Sequence, residues 1–96
     1  MEPNESDRSW LAYVSTGMGG GTWARGKDRD KQIRSAARQF KSDWKHLFNL
    51  PKGHVVKIAV IDVTGRDGVY WDDFGFYDKE TREEIPLQAV VNYPLP

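Results

Sequence analysis

The chain of 96 residues contains no cysteine, and that absence excludes several classes of protein. Disulfide-stapled folds, zinc ribbons, iron–sulfur proteins and enzymes with a thiol nucleophile all depend on cysteine. No apolar run approaches the roughly 20 residues that a membrane-spanning helix needs. Residues 1–8 are acidic and polar and lack the basic and apolar segments of a signal peptide. We therefore expect a cytoplasmic protein that does not interact with a membrane.

The chain also lacks net charge, because 14 Lys and Arg residues balance 14 Asp and Glu residues. This balance is uneven along the sequence. Residues 23–57 contain ten basic and three acidic side chains, whereas residues 58–96 contain three basic and eight acidic ones. Association with a charged partner depends on the local field rather than on the total charge. A polyanion is therefore expected to bind within residues 23–57.

A catalytic signature is absent as well. The sequence contains no P-loop, no dinucleotide-binding fingerprint, and no serine with the partners of a catalytic triad. His46 and His54 have no matched carboxylate or nucleophile, and a histidine near a helix C-terminus has a structural reason to be there. We therefore predict a protein that is not an enzyme and that needs no cofactor and no metal.

A metal-dependent nuclease is the minor alternative. If Gly65–Gly68 is a hairpin loop, Asp62 lies opposite Trp71 and diagonally across from Asp73 on one sheet face. Two carboxylates on adjacent strands can hold Mg²⁺, although such sites usually need a third ligand and a cleft. Acids that keep the hairpin soluble and discourage edge pairing are the simpler interpretation.

The length indicates a single domain, because separate cores rarely form in chains much shorter than about 100 residues each. Residues 1–8 contain three acids and little to bury, so we predict a disordered leader there. The domain itself is predicted to cover residues 9–93, followed by an extended tail at residues 94–96. Such a domain can function as a monomer or as a homodimer.

The clearest element is a helix over residues 28–49. Asp28 is a suitable N-cap, and Pro51 and Gly53 stop the helix. Apolar residues recur at helical spacing and fall within an arc of about 120°. They are Ile33, Ala36, Ala37, Phe40, Trp44, Leu47 and Phe48. The pattern predicts an amphipathic helix that buries one face.

Strand patterns lie on both sides of this helix. Residues 9–16 and 22–25 are predicted to form a hairpin around the glycine run at 17–21. Residues 54–64 are apolar on both faces, as is typical of a central strand. Residues 69–77 are predicted to return along that strand.

A last edge strand, broken at Pro86, is predicted over residues 82–93. The resulting order, β-β-α-β-β-β, predicts an α+β fold. In it, one mostly antiparallel sheet of four or five strands carries the single long amphipathic helix on one face. The alternation of strand residues leaves open which face of the sheet contacts the helix.

The polar face of the predicted helix carries a stripe of five cations within an arc of about 80°. They are Lys31, Arg34, Arg38, Lys41 and Lys45, and we call them the helix stripe. A helix face that is merely solvated usually carries acids three or four positions from its cations. Only Asp43 is available, and it lies well off the stripe. The stripe therefore predicts contact with phosphates, unless the acidic hairpins of the same chain neutralise it.

The glycine-rich loop adds to this surface. Gly17, Gly19, Gly20 and Gly21 can bring backbone N–H groups close to a ligand. Arg25 and Lys27 follow the loop and are predicted to contact phosphates, with Trp23 as a platform on which a base can stack. A purely structural turn is an equal alternative for the glycines.

Our leading hypothesis is a small non-enzymatic module that binds nucleic acid, either DNA or RNA, through the helix stripe and the basic glycine-rich loop. The alternative is a protein–protein interaction module: an accessory subunit or a small inhibitor, of the kind that phages and plasmids encode. In that case the acidic hairpins and an aromatic sheet face contact the partner. The residues predicted for this role are Tyr70, Trp71, Asp72, Asp73 and Phe74.

Overall fold

The structure is a computed structural model, and it describes residues 8–17, 20–72 and 75–96. Within these residues the chain forms seven strands and one helix. They are β1 (Trp10–Ser15), β2 (Gly21–Gly26), α1 (Arg29–Trp44), β3 (Val55–Asp62), β4 (Val69–Trp71), β5 (Phe76–Asp78), β6 (Glu84–Ile85) and β7 (Ala89–Pro94).

Helix α1 begins where the sequence predicts and ends earlier. The Asp28 carboxylate accepts a hydrogen bond from the Lys31 N–H, which satisfies one of the free donors of the first turn. The helix ends at Trp44 rather than near residue 49. Beyond it the Leu47 N–H bonds to the Trp44 carbonyl at 3.1 Å, so the chain tightens into a turn. Leu47 consequently leaves the apolar face and is exposed.

Four strands form the main antiparallel sheet, in the order β2-β1-β3-β7. Strands β1 and β2 form the predicted hairpin around the glycines, and β3 is central, between β1 and β7. Helix α1 packs on one face of this sheet, against Val56, Ile58 and Val60 of β3. The predicted α+β class and the placement of the helix are thus confirmed, and the open question of the contacting face is resolved.

A second sheet, in the order β4-β5-β6, covers part of the opposite face of the main sheet. The side chains that join the two sheets form a separate apolar core. They are Leu11, Ile61 and Val63 of the main-sheet segments, and Phe76 and Ile85 of the second sheet. The molecule therefore has three layers, with the helix and the second sheet on opposite sides of the main sheet.

The predicted pairing of residues 54–64 with residues 69–77 is wrong. Strand β3 uses one edge for β1 and the other for β7, so Asp62 pairs with Trp10 rather than with Trp71. Strand β4 pairs with β5 instead. The sequence pattern could not show this, because both edges of β3 were free to pair with any later strand.

The last predicted strand is divided at Pro86, as expected. Residues before it form β6 in the second sheet, and residues after Leu87 and Gln88 form β7 in the main sheet. Proline has no N–H for a ladder, and here it lies where the chain passes from one sheet to the other.

The structure extends the predicted domain by residues at both of its ends. Residues 1–7 of the predicted leader lie outside the described residues, whereas Arg8 forms an ion pair with Asp62 at 3.1 Å. Residues 94–96 were predicted as a tail. In the structure Leu95 is only 2% exposed, its N–H bonds to the His54 carbonyl, and its carbonyl accepts the Gly53 N–H.

Candidate nucleic-acid interface

The helix stripe lies on the solvent side of α1. Lys31, Arg34, Arg38 and Lys45 are exposed, and none of them forms an ion pair with another residue in the described ranges. Lys41 is half-buried, and its ammonium group donates to the backbone oxygen of Pro96. Four of the five predicted cations are therefore available to an external anion.

The acids on α1 have other partners. Asp43 accepts hydrogen bonds from Thr22 Oγ1 at 3.1 Å and from the Gln39 amide at 2.7 Å. Asp30 pairs with Arg29 at 3.3 Å. Neither carboxylate forms an ion pair with a cation of the helix stripe in the described chain.

The acidic hairpins do not neutralise the stripe. Residues 65–85 carry seven acidic and three basic side chains, and this segment forms the second sheet and its loops, across the main sheet from α1. Its own Arg66 pairs with Asp78 at 2.9 Å and with Glu83 at 4.0 Å. The excess of acidic side chains in this segment therefore lies across the main sheet from the helix stripe.

The acidity of that layer affects a tyrosine within it. Burial raises the pKa of Tyr77, and the negative charges of Asp72 and Glu84 raise it further. Both effects disfavour the charged phenolate.

Arg25 has a structural role that the sequence did not indicate. Its guanidinium donates to Ser9 Oγ at 3.1 Å and to the carbonyl oxygens of Val63, at 3.3 Å, and Arg66. These bonds hold the loop after β3 against strand β2. Since its donors are directed into the protein, Arg25 does not join the stripe. Lys27, by contrast, is exposed in the turn just before α1.

Trp23 is exposed, at 53%, but it lies on the wrong face to act together with the stripe. Its neighbours in β2, Thr22 and Ala24, contact the helix side, so Trp23 points the other way. Its ring centroid is 6.4 Å from that of Trp71 in the second sheet. A bound strand that follows α1 would therefore have to pass around the edge of the main sheet to stack on Trp23.

Close packing against aromatic side chains explains why glycine occupies the end of the first hairpin. A Cβ at Gly20 would lie 2.8 Å from the Trp44 ring, and one at Gly21 would lie 2.7 Å from the Tyr13 hydroxyl. The two glycines thus accommodate large aromatic side chains on opposite faces of the hairpin. Gly19 lies outside the described residues, and Gly17 has φ +79°, a conformation that glycine adopts readily.

The strand pairing on which the predicted nuclease site depends is absent from the described residues, because Asp62 pairs with Trp10. Although burial opposes it, the pKa of Asp62 is lowered by hydrogen bonds from Thr64 and by the charges of Arg8 and Arg66. The carboxylate is occupied by these partners, and Trp71 is not its neighbour. Asp73 lies outside the described residues. Among the residues that are described, no three His, Cys, Asp or Glu side chains cluster as metal ligands.

The two described aromatic residues that were predicted for a protein partner lie on different faces of the second sheet. Tyr70 stacks on Tyr77 on the outer face of the second sheet, with ring centroids 5.2 Å apart. Trp71 points inward and contacts Tyr13, at 4.8 Å between centroids. The sequence predicted one strand over residues 69–77, whereas β4 and β5 are two separate strands that pair with each other. Asp72 is exposed beside Trp71, and Asp73 and Phe74 lie outside the described residues.

Two surface features were missed by sequence reasoning. The first is a row of apolar residues that crosses the main sheet from edge to edge on the side of the second sheet. Its members are paired directly across the four strands: Trp23, Tyr13, Ala59 and Val90. The two inner members are partly covered by that sheet, and the two outer members are exposed. Tyr13, Ala59 and Val90 line a groove of about 600 Å³ that the second sheet borders. The sequence alone could not show this row, because its members are neighbours only through the register of the four strands.

The second feature is a groove of about 270 Å³ on the helix side, where α1 meets β7. Its lining includes Ile33 and Arg34 of α1, and Val91 and Tyr93 of β7. The groove depends on β7 lying beside β3, which the sequence did not predict.

Comparison with known proteins gives no match: no protein-family model, curated protein or solved structure is significantly similar to this chain. Within the described ranges, no helix is both long and apolar enough to cross a membrane. The assignment of a function therefore rests on the geometry of the site.

Proposed function

We propose that the protein binds nucleic acid through the phosphate backbone, using the exposed face of α1. One observation carries the proposal: four of the five cations of the helix stripe are exposed and lack ion pairs in the described chain, while the acidic segment lies across the main sheet. Like charges along one helix slightly destabilise it. An anionic partner would offset that repulsion by neutralising the cations.

The dimensions of the stripe suit a phosphate backbone. Lys31 and Lys45 are separated by about 21 Å along the helix axis, at about 1.5 Å per residue. Arg34 and Arg38 lie between them at one-turn spacing, and Lys27 extends the surface beyond the first turn. Each cation that neutralises a phosphate releases condensed counterions, which supplies affinity without base recognition. Arg25 and Trp23 are left out of this surface.

A salt titration of binding to a labelled oligonucleotide tests the proposal. Affinity should fall steeply between about 50 and 200 mM salt, and a contact set of four cations predicts a log–log slope of about −3 to −4. Replacing two of them, in Arg34→Glu/Arg38→Glu, should reduce the magnitude of the slope by about 2.

The matched control is Lys79→Glu, which reverses an exposed cation in the second layer. It should leave both affinity and slope unchanged. Absence of binding at low salt would refute the proposal, as would an equal loss of affinity in the control.

A second candidate function is association with an apolar protein surface through the part of the main-sheet face opposite α1 that the second sheet leaves exposed. Val90 is 56% exposed in the row that also contains Trp23, and exposed apolar patches on a folded protein often mark interfaces. A second copy of this chain offers the same apolar surface.

Analytical ultracentrifugation tests this second candidate. It should show a dimer that Val90→Asp converts to a monomer. Leu47→Asp, which changes an equally apolar exposed residue beyond α1, should not alter the mass. A protein that is monomeric at every accessible concentration would exclude the dimer.

A further inference from the structure

Tyr93 places an aromatic ring directly beside the helix stripe. Strand β7 directs it to the helix side of the main sheet, where it packs at the margin of the core and stays half-buried. Arg34 lines the same groove from α1, and Val91 and Ile33 supply further apolar lining. An exposed aromatic surface and a free guanidinium therefore occur within one shallow groove.

The charges at this groove favour an anionic ligand at Arg34. Arg29 and Asp30 also line the groove, but they pair with each other at 3.3 Å. The Arg29 guanidinium further donates to Gln88 Oε1 at 3.1 Å. Arg34 forms no ion pair with the described residues, so it is the unneutralised charge beside the Tyr93 ring.

We infer that the nucleic acid is single-stranded and that one of its bases stacks on Tyr93 while Arg34 contacts a neighbouring phosphate. This inference rests on the proposed function, because the strand must first follow the helix stripe. The bases of a duplex are paired and stacked inside the helix, where a ring in a shallow groove cannot reach their faces. Unpaired bases have free π-faces, and aromatic side chains bind these with little dependence on sequence.

Tyr93 takes the stacking role that the sequence suggested for Trp23. Both are aromatic residues of edge strands, but only Tyr93 shares a side of the sheet with α1. A strand bound along Arg34 and Arg38 can reach Tyr93 without passing around the main sheet.

The experiment compares three probes at one salt concentration: a single-stranded oligonucleotide, the matching duplex, and an abasic strand of equal length. The wild-type protein should bind the ordinary single strand about five- to a hundredfold more tightly than the abasic strand, which retains the phosphates and lacks the bases. Because the bases of the duplex are not free to stack on Tyr93, Tyr93→Leu should not change the protein's affinity for the duplex.

Variants then locate the base contact. Tyr93→Leu keeps an apolar side chain against the core, and it should bind the ordinary strand no better than the abasic one, with the salt slope unchanged. Tyr93→Phe should retain the discrimination, and Trp23→Leu on the opposite face should not affect it. Equal wild-type affinity for ordinary and abasic strands would overturn the inference even if Tyr93→Leu failed to fold. Absence of binding to all three probes would instead refute the proposed function.

Discussion

The guanidinium of Arg25 donates a hydrogen bond to the carbonyl oxygen of Val63 at 3.3 Å, across the boundary between strand β2 and the loop after β3. A second donation reaches the carbonyl of Arg66. A residue that the sequence assigned to a ligand is thus a structural link, and its loss should change stability rather than binding.

We predict that Arg25→Gln destabilises the protein by about 1–3 kcal/mol, because the carbonyl groups that it contacts lose a charged donor. Urea unfolding measures this change. Lys27→Gln, two residues away and exposed, should alter stability by less than about 0.5 kcal/mol. Oligonucleotide binding should show the opposite order: Lys27→Gln should lose more affinity than Arg25→Gln. If Arg25→Gln lost more affinity than Lys27→Gln and kept its stability, Arg25 would have to belong to the binding surface.

Gly21→Ala should destabilise the first hairpin. The added Cβ would lie 2.5 Å from the Val14 carbonyl oxygen and 2.7 Å from the Tyr13 hydroxyl, and backbone cannot move away as a flexible side chain can. We expect a loss of about 1–3 kcal/mol, as for other overpacked sites.

Gly75→Ala is the control for this change, because its nearest contacts, at 3.5 Å or more, are ordinary. It should leave stability unchanged or slightly raised. Thermal unfolding of both variants checks the comparison. Equal effects would show that the glycine run is not required by packing.

Thr22→Val should loosen the contact between α1 and strand β2. Thr22 is 4% exposed, and its hydroxyl accepts from Trp44 Nε1 at 3.3 Å and donates to Asp43. Valine has the same shape but no hydroxyl, so we expect a cost of about 1–2 kcal/mol in chemical denaturation. Ser42→Ala, on the exposed side of the same helix, is the control and should have little effect.

The carboxylate of Asp78 should make the stability of the protein depend on pH. Backbone N–H groups of Thr81 and Glu80 lower the pKa of Asp78, and the charge of Arg66 lowers it further, against the effect of burial. A folded-state pKa below the unfolded value of about 3.9 means that the carboxylate stabilises the fold above that pH. The contribution disappears as the pH falls through the folded value.

Urea unfolding at a series of pH values should therefore show that Asp78→Asn is less stable than wild type at pH 5–7. The difference should shrink below about pH 4. Asp67→Asn removes an exposed carboxylate of the same layer that lacks an ion pair in the described chain, and it should match wild type at neutral pH. A difference between Asp78→Asn and wild type that does not change with pH would contradict the assignment.

Local sequence patterns predicted the elements well, since each depends on neighbouring residues. Asp28 was identified as the N-cap because capping involves residues three positions apart. The apolar run of β3 predicted a strand with both faces covered, and it is central. The end of α1 was placed too late, because Leu47 and Phe48 continue the helical spacing although the chain has already turned.

The residues of the candidate site also fall into two groups: those that local periodicity predicted and those that long-range contacts placed. The helix stripe follows from periodicity alone, so its cations share a face in the structure as in the sequence. Whether Arg25, Trp23 and Tyr93 can contact a ligand beside α1 depends on strand register and on which layer covers each face of the main sheet. Those facts involve residues far apart in the chain, and no local pattern contains them.

The sequence by itself therefore determined the α+β class, the single amphipathic helix and the alignment of its cations, because 3.6-residue and two-residue periodicities are local properties. Only the tertiary structure decided that β4 leaves β3 to begin a second sheet, and that the acidic segment lies across the main sheet from the helix stripe. The strand edges of β3 were equally open to several partners, and burial of the two apolar cores selected among them.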